Sequence, residues 1–129
     1  MTAHKLLDNS LALLLTSSSG TPEYTSNALP LINMLLAETR HYNDIIRQQK
    51  GKEPLEDVPR ILTLSDELPC EDELALTALP NALCAKLLMD DDDMAKVVYF
   101  QNQYVAACES AVMCVADAIN DVYPAGEAQ

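Results

Sequence analysis

Leucines 6, 7, 11, 14 and 15 fall on one side of a helical wheel drawn over AHKLLDNSLALLLT, which predicts a short amphipathic helix at residues 3–16. Ser17, Ser18, Ser19, Gly20, Thr21 and Pro22 then mark a loop. Thr25, Ser26 and Asn27 offer N-caps for a second helix over 25–49, with Pro30 placed in its first turn, where a missing amide costs nothing. Its inner stripe is Leu29, Ile32, Leu36, Thr39, Asn43 and Ile46, with Leu35 and Ile45 beside it, and Lys50-Gly51 closes it. A third helix is expected over 71–89, opened by Glu71, Asp72 and Glu73 and bent or broken near Thr77 because Pro80 cannot continue a hydrogen-bond ladder. The last helix, 93–123, carries Val98, Gln101, Val105, Cys108, Val112, Val115, Ile119 and Val122 at alternating spacings of three and four. That seam is assigned to packing, with the monomer's own core as its expected cover.

Between the second and third helices, residues 50–69 lose helical periodicity, since Pro54, Pro59 and Pro69 exclude a continuous helix. Arg60-Ile61-Leu62-Thr63-Leu64 reads as a short extended piece. The expected architecture is therefore all-α, a single four-helix bundle-like domain with a long proline-containing arm that carries a brief extended segment. Irregular connections of this length are commonly contact surfaces. Five of the chain's eight Lys and Arg residues lie in or beside the arm: Arg40, Arg47, Lys50, Lys52 and Arg60. The candidate partner-binding set is accordingly Arg47, Lys50, Lys52, Arg60, Ile61, Leu62, Thr63 and Leu64, and strand addition through residues 61–64 is one way it would work. The competing explanation for Arg47 and Lys50 is that cations complement the negative end of a helix.

Composition narrows the function. The net charge of −12 on 129 residues disfavours wrapping of nucleic acid and docking on anionic lipid. Cys70, Cys84, Cys108 and Cys114 have no zinc spacing and read as buried thiols of a reducing cytoplasm. The leucine run at 11–15 is too short and too interrupted, by Asp8, Asn9 and Ser10, for a secretory signal, and no segment has the length of a membrane span. Asp90, Asp91, Asp92 and Asp93 lack the mid-loop glycine and the distal glutamate of a calcium loop, so Asp92 or Asp93 is expected to cap the last helix. His4 and His41 have no nucleophile beside them, and glycines at 20, 51 and 126 make no phosphate loop. No catalytic residue, metal or cofactor is assigned, and the expectation is a non-enzyme.

Read end to end, the chain resembles the helical head-to-tail adaptor proteins of tailed bacteriophages. The resemblance rests on KLLDNSLALLL, on Asn27-Ala-Leu-Pro-Leu-Ile-Asn33-Met34-Leu35, on DVPRILTLSDELP, on LPCEDELALTALPNALCAKLL, on the acidic turn MDDDD and on AKVVYFQNQYVAAC, across residues 3–122. The chain departs from many such proteins at Asn81 or Ala82, where they carry glycine, and at His41 and Tyr42, where they carry tryptophan. The resemblance implies a structural virion or prophage protein that docks on the portal ring as a ring of copies. It would extend the DNA channel and receive downstream tail or neck proteins, in the host cytoplasm during assembly and in the virion neck afterwards. An acidic channel wall would let DNA slide without sticking. The alternative readings are a small acidic helical regulator that binds a basic partner in a bacterial cell, and a DNA mimic.

Overall fold

The computed structural model describes residues 1–16, 22–89 and 93–120, with side chains through Met113. Among these residues the protein is all-α, with α1 (Ala3–Leu13), α2 (Pro22–Glu38), α3 (Arg40–Gln49), α4 (Asp72–Ala75), α5 (Ala78–Leu87) and α6 (Met94–Asn120), and no strand. Asp92, the loop at 17–21 and the end of the last helix beyond 120 lie outside the described residues, as do the seam side chains of Val115, Ile119 and Val122.

Two of the four expected helices are each split. The segment expected as one helix over 25–49 begins at Pro22 and divides at Thr39. Thr39 is buried, and its hydroxyl donates to the Leu35 carbonyl at 2.8 Å, a back-bond that bends a helix. The backbone ladder still runs through the bend, from Thr39 N to Leu35 O and from Asn43 N to Thr39 O. Pro30 sits past the first turn of α2 and deprives the Ser26 carbonyl of its helical donor, which corrects its expected placement. Residues 71–89 form α4 and α5, with the interruption at Leu76 and Thr77; Pro80 thereby falls in the first turn of α5, where its missing amide is harmless.

α5 is the centre of the molecule. Eight of its ten residues are buried, and it packs against α1, α2, α4 and α6. Leu79, Ala82, Leu83 and Leu87 meet Leu6, Leu7 and Leu11 of α1 and Ile32, Leu35 and Leu36 of α2. Cys84 and Ala85 meet Val97 and Phe100 of α6, while Ala78 joins Ile46, Leu74, Cys108 and Ala111. Each fully buried leucine here contributes about 1.5–3 kcal/mol relative to exposure. Small residues at 78, 82 and 85 let three neighbours approach one helix at once.

One polar link crosses this apolar contact. Buried Ser10 of α1 directs its hydroxyl to the carbonyls of Leu6 and Pro80, at 3.0 and 3.2 Å, and the Cys84 thiol donates to the Ser10 carbonyl at 3.1 Å. Displacing either helix along the other would strand these groups without partners in the core.

Both ends of the helices before the connections are closed by the same device. Lys52 N donates to Arg47 O at 2.8 Å and Gly51 N to Gln48 O at 3.0 Å, with Gly51 in the left-handed region at φ 79°, a Schellman close of α3. α1 ends the same way, with Thr16 N on Leu11 O and Leu15 N on Ala12 O, but the left-handed residue is Leu15, at φ 57°. A side chain there costs about 1–2 kcal/mol.

Candidate interaction surface

The arm is docked along its length. α3 holds its first half: Arg47 Nε donates to Glu53 O at 2.8 Å, Arg40 Nη2 to Leu55 O at 2.9 Å, and Leu55 N donates to Asp44 Oδ1 at 3.2 Å. α2 holds the middle through one amide, since Asn33 accepts from Ile61 N at 2.8 Å and donates to Ile61 O at 3.1 Å. Asp66 closes a turn by accepting from Leu62 N and Thr63 N at 2.8 and 3.0 Å, and these backbone donors hold its carboxyl below the usual range. The last part caps α1, whose first free amides point at arm carbonyls: Ala3 N to Asp66 O at 3.1 Å and His4 N to Leu64 O at 2.8 Å.

These bonds correct the expected extended segment. Residues 61–64 form no strand, and the only β-bridge among the described residues is a single one between Thr2 and Glu67. The N–H and C=O groups of Ile61 and Thr63, the Leu62 N–H and the Leu64 carbonyl, which strand addition would draw on, are already engaged by Asn33, Asp66 and His4. Ile61 is buried in the core, Leu64 is packed against it, Thr63 is held by Asp66, and Leu62 and Arg60 face outward.

The basic cluster is likewise turned inward. Arg47, Lys50 and Lys52 all reach Glu71, at 3.5, 3.2 and 2.9 Å, and Lys50 also meets Glu73. Burial pushes the Glu71 carboxyl up, but the Lys52 and Lys50 hydrogen bonds outweigh it and the net shift is downward. The Lys50 ammonium is raised, chiefly by its bond to Glu73. Asn43, buried in α3, accepts from Glu71 N at 2.8 Å and fixes the backbone that presents this carboxylate. The cations thus tie the arm and α3 to the start of α4.

Asp93 stands at the start of α6, where its Oδ1 accepts from Lys96 N at 3.2 Å. No cluster of His, Cys, Asp or Glu suited to a metal ion occurs among the described residues. Cys70, Cys84 and Cys108 are free thiols; burial pushes Cys70 and Cys84 up to about 12 and Cys108 to about 11, so all three are protonated near neutral pH. No described helix is long and apolar enough to cross a membrane.

Exposed large apolar side chains occur singly elsewhere, as at Leu15 and Leu62, but α6 carries several along one helix. Its buried face is Val97, Phe100, Cys108 and Ala111, with Tyr104 packed beside them. At 3.6 residues per turn, that face is rotated roughly 80° from the seam of Val98, Gln101, Val105, Cys108 and Val112. Within the seam Val98 is accordingly 53 % exposed and Val105 43 %, while Cys108 is buried and Val112 packs partly against the core, so among the described residues the monomer's own core covers the seam only from Cys108 on; Met94, one turn before Val98, is 59 % exposed. The two large rings of Phe100 and Tyr104 take the interior, and the valines beside them are left as a ridge. Around the helix from the ridge, Ala106, Ala107 and Ser110 line a groove of about 530 Å³ whose walls include Leu13 of α1, Leu76 and Pro80. The sequence held a signal for both features in the run from Val97 to Cys108, which has no charged side chain in a chain that is 22 % charged.

No family model, no curated protein and no solved structure matches the chain.

Proposed function

We propose that this protein is a structural component without catalytic activity, a head-to-tail adaptor of a tailed phage or prophage. In this reading copies dock on the portal ring, lengthen the DNA channel and offer a platform to neck or tail proteins. They do so first in the host cytoplasm and then in the virion neck. The observation that supports the reading is the ridge on α6: Met94, Val98 and Val105 remain uncovered on a 27-residue helix whose other face, Val97, Phe100, Cys108 and Ala111, is buried in the core. An apolar ridge on a chain of charge −12 is a surface for protein contact, because the acidic remainder keeps the molecule soluble and away from nucleic acid. The arm serves as an internal brace in this scheme rather than as the reaching element.

The test mixes purified protein with portal rings from the same genome and images the particles by electron microscopy. A coaxial layer of added density under the portal is the expected result. Unchanged portals with free protein in excess would overturn the reading.

A further inference from the structure

Glu109 stands inside the apolar face of α6, one turn past Val105, and it restricts what can cover that face. Met94, Val98, Val105, Glu109 and Met113 fall within roughly 100° around the helix and along about 28 Å of its length. The four apolar side chains are exposed, and Glu109 is exposed among them with no hydrogen bond or ion pair to any described residue. From Val97 to Met113 it is the one charged side chain. Six of the chain's eight cations, Arg40, Arg47, Lys50, Lys52, Lys86 and Lys96, are already held in ion pairs with carboxylates, so little positive charge is left to meet Glu109 from within. A cover that is apolar throughout would desolvate this carboxylate without a counter-charge, a penalty that offsets the aliphatic contact around it. A second copy brings the same carboxylate and the same net charge of −12, and is repelled.

We infer that this face docks a basic amphipathic helix of a different protein, whose apolar stripe covers Met94, Val98, Val105 and Met113 and whose Lys or Arg meets Glu109. A helix is the fitting form, because Met94, Val98, Gln101 and Val105 keep the spacing of three and four by which one helix packs on another. The charge of the whole chain works in the same direction. With 20 Asp and Glu against 8 Lys and Arg, it attracts a cationic segment from about a Debye length away, roughly 8 Å at physiological salt, and Glu109 then fixes the register of the docked helix. The inference rests on the adaptor reading only for the identity of the docking protein, a portal, neck or tail component. The chemistry of the contact follows from α6.

The test titrates the full chain with a helical peptide of about 20 residues that carries a leucine stripe flanked by lysines, and with a twin in which glutamates replace the lysines. Amide shifts locate the site, and fluorescence anisotropy reads the affinity. The lysine peptide is expected to shift the amides around Val98, Val105 and Glu109, and the glutamate twin to leave them in place. Glu109→Gln and Val98→Ser are each expected to weaken the lysine peptide about tenfold, whereas Asp57→Asn, which removes the same charge from the exposed arm, is expected to change its affinity by less than about twofold. All three positions are exposed, so none of the changes disturbs the core. No binding of the lysine peptide, or shifts confined to other elements, would overturn the inference. Equal weakening by Glu109→Gln and Asp57→Asn would overturn it too, since attraction to the acidic chain as a whole would then account for the binding. Peptide docking on α6 by a chain that leaves portal rings bare would sink the adaptor reading and keep this contact. Portal rings coated equally well by the wild-type and Glu109→Gln chains would do the reverse.

Discussion

Residues 50–71 and α6 hold their surfaces in opposite ways. The arm has no regular structure, yet its polar groups are taken up by Arg40, Asp44, Arg47, Asn33 and Asp66, and its apolar pins Ile61 and Leu68 are buried. α6 is regular from end to end, and its backbone needs nothing from outside, yet Met94, Val98, Tyr99 and Val105 stand in solvent. Irregularity therefore does not mark the surface that is free to bind. What marks it is apolar area left over in one place once the core is complete, since uncovered aliphatic surface forgoes about 25 cal/mol per Å² relative to burial: the arm leaves Val58 and Leu62 uncovered four residues apart, whereas α6 aligns Met94, Val98 and Val105 on one helix face.

The contrast breaks most readily at Ile61. Ile61→Ala should remove about 2–5 kcal/mol of stability, the range for a fully buried aliphatic truncation, read from urea unfolding. A loss under about 0.5 kcal/mol would show that the arm is only loosely docked. Asn33→Ala comes next: it strands both the amide and the carbonyl of Ile61, and about 1–3 kcal/mol should be lost, with faster amide exchange confined to residues around 61.

Glu71→Gln should cost only about 1 kcal/mol, since Lys50 and Lys52 are well solvated and water screens the pairing. Its signature is in the pH profile. Glu71 and Asp66 have folded values below the unfolded ones, which are about 4.3 and 3.9. Their contribution is therefore present above those values and is lost as pH falls through the lower folded ones. The midpoint of thermal unfolding should drop below about pH 4, and Glu71→Gln should shrink that drop. Lys50 runs the other way: raised in the fold, it stabilises below its unfolded value and is lost only in strong alkali. Val98→Glu should move stability by no more than about 0.5 kcal/mol, because the side chain it replaces is exposed. A large loss there would mean that α6 buries its ridge after all.

The helices were legible because leucine and isoleucine spacing reports one buried face, and Pro80 together with acidic residues 71–73 marked where the third segment starts and breaks. The bend at Thr39 was not, since a back-bonding threonine looks like any other inward position. On α6 the spacing of three and four fits the valines as well as it fits Val97, Phe100, Tyr104 and Cys108, and only the size of the recess beside α5 chooses the rings. The arm misled for a different reason. Its cations look unpaired in sequence, and Glu71 lies some twenty residues further on, brought back by the turn that Gly51 opens. Asn33, an amide set between Leu31-Ile32 and Met34-Leu35-Leu36, was the readable sign that a backbone segment would be held there.

Ser10 gives the groove a fixed gauge. The α1 helix that bears Leu13 is pinned by its bonds to Pro80 and Cys84 against the α5 helix that bears Pro80, so the two walls cannot slide past each other by a turn, about 5.4 Å, without unlatching buried hydroxyl and thiol together. The slot is thus cut to width in the free chain, and occupying it would need no reshaping of its walls.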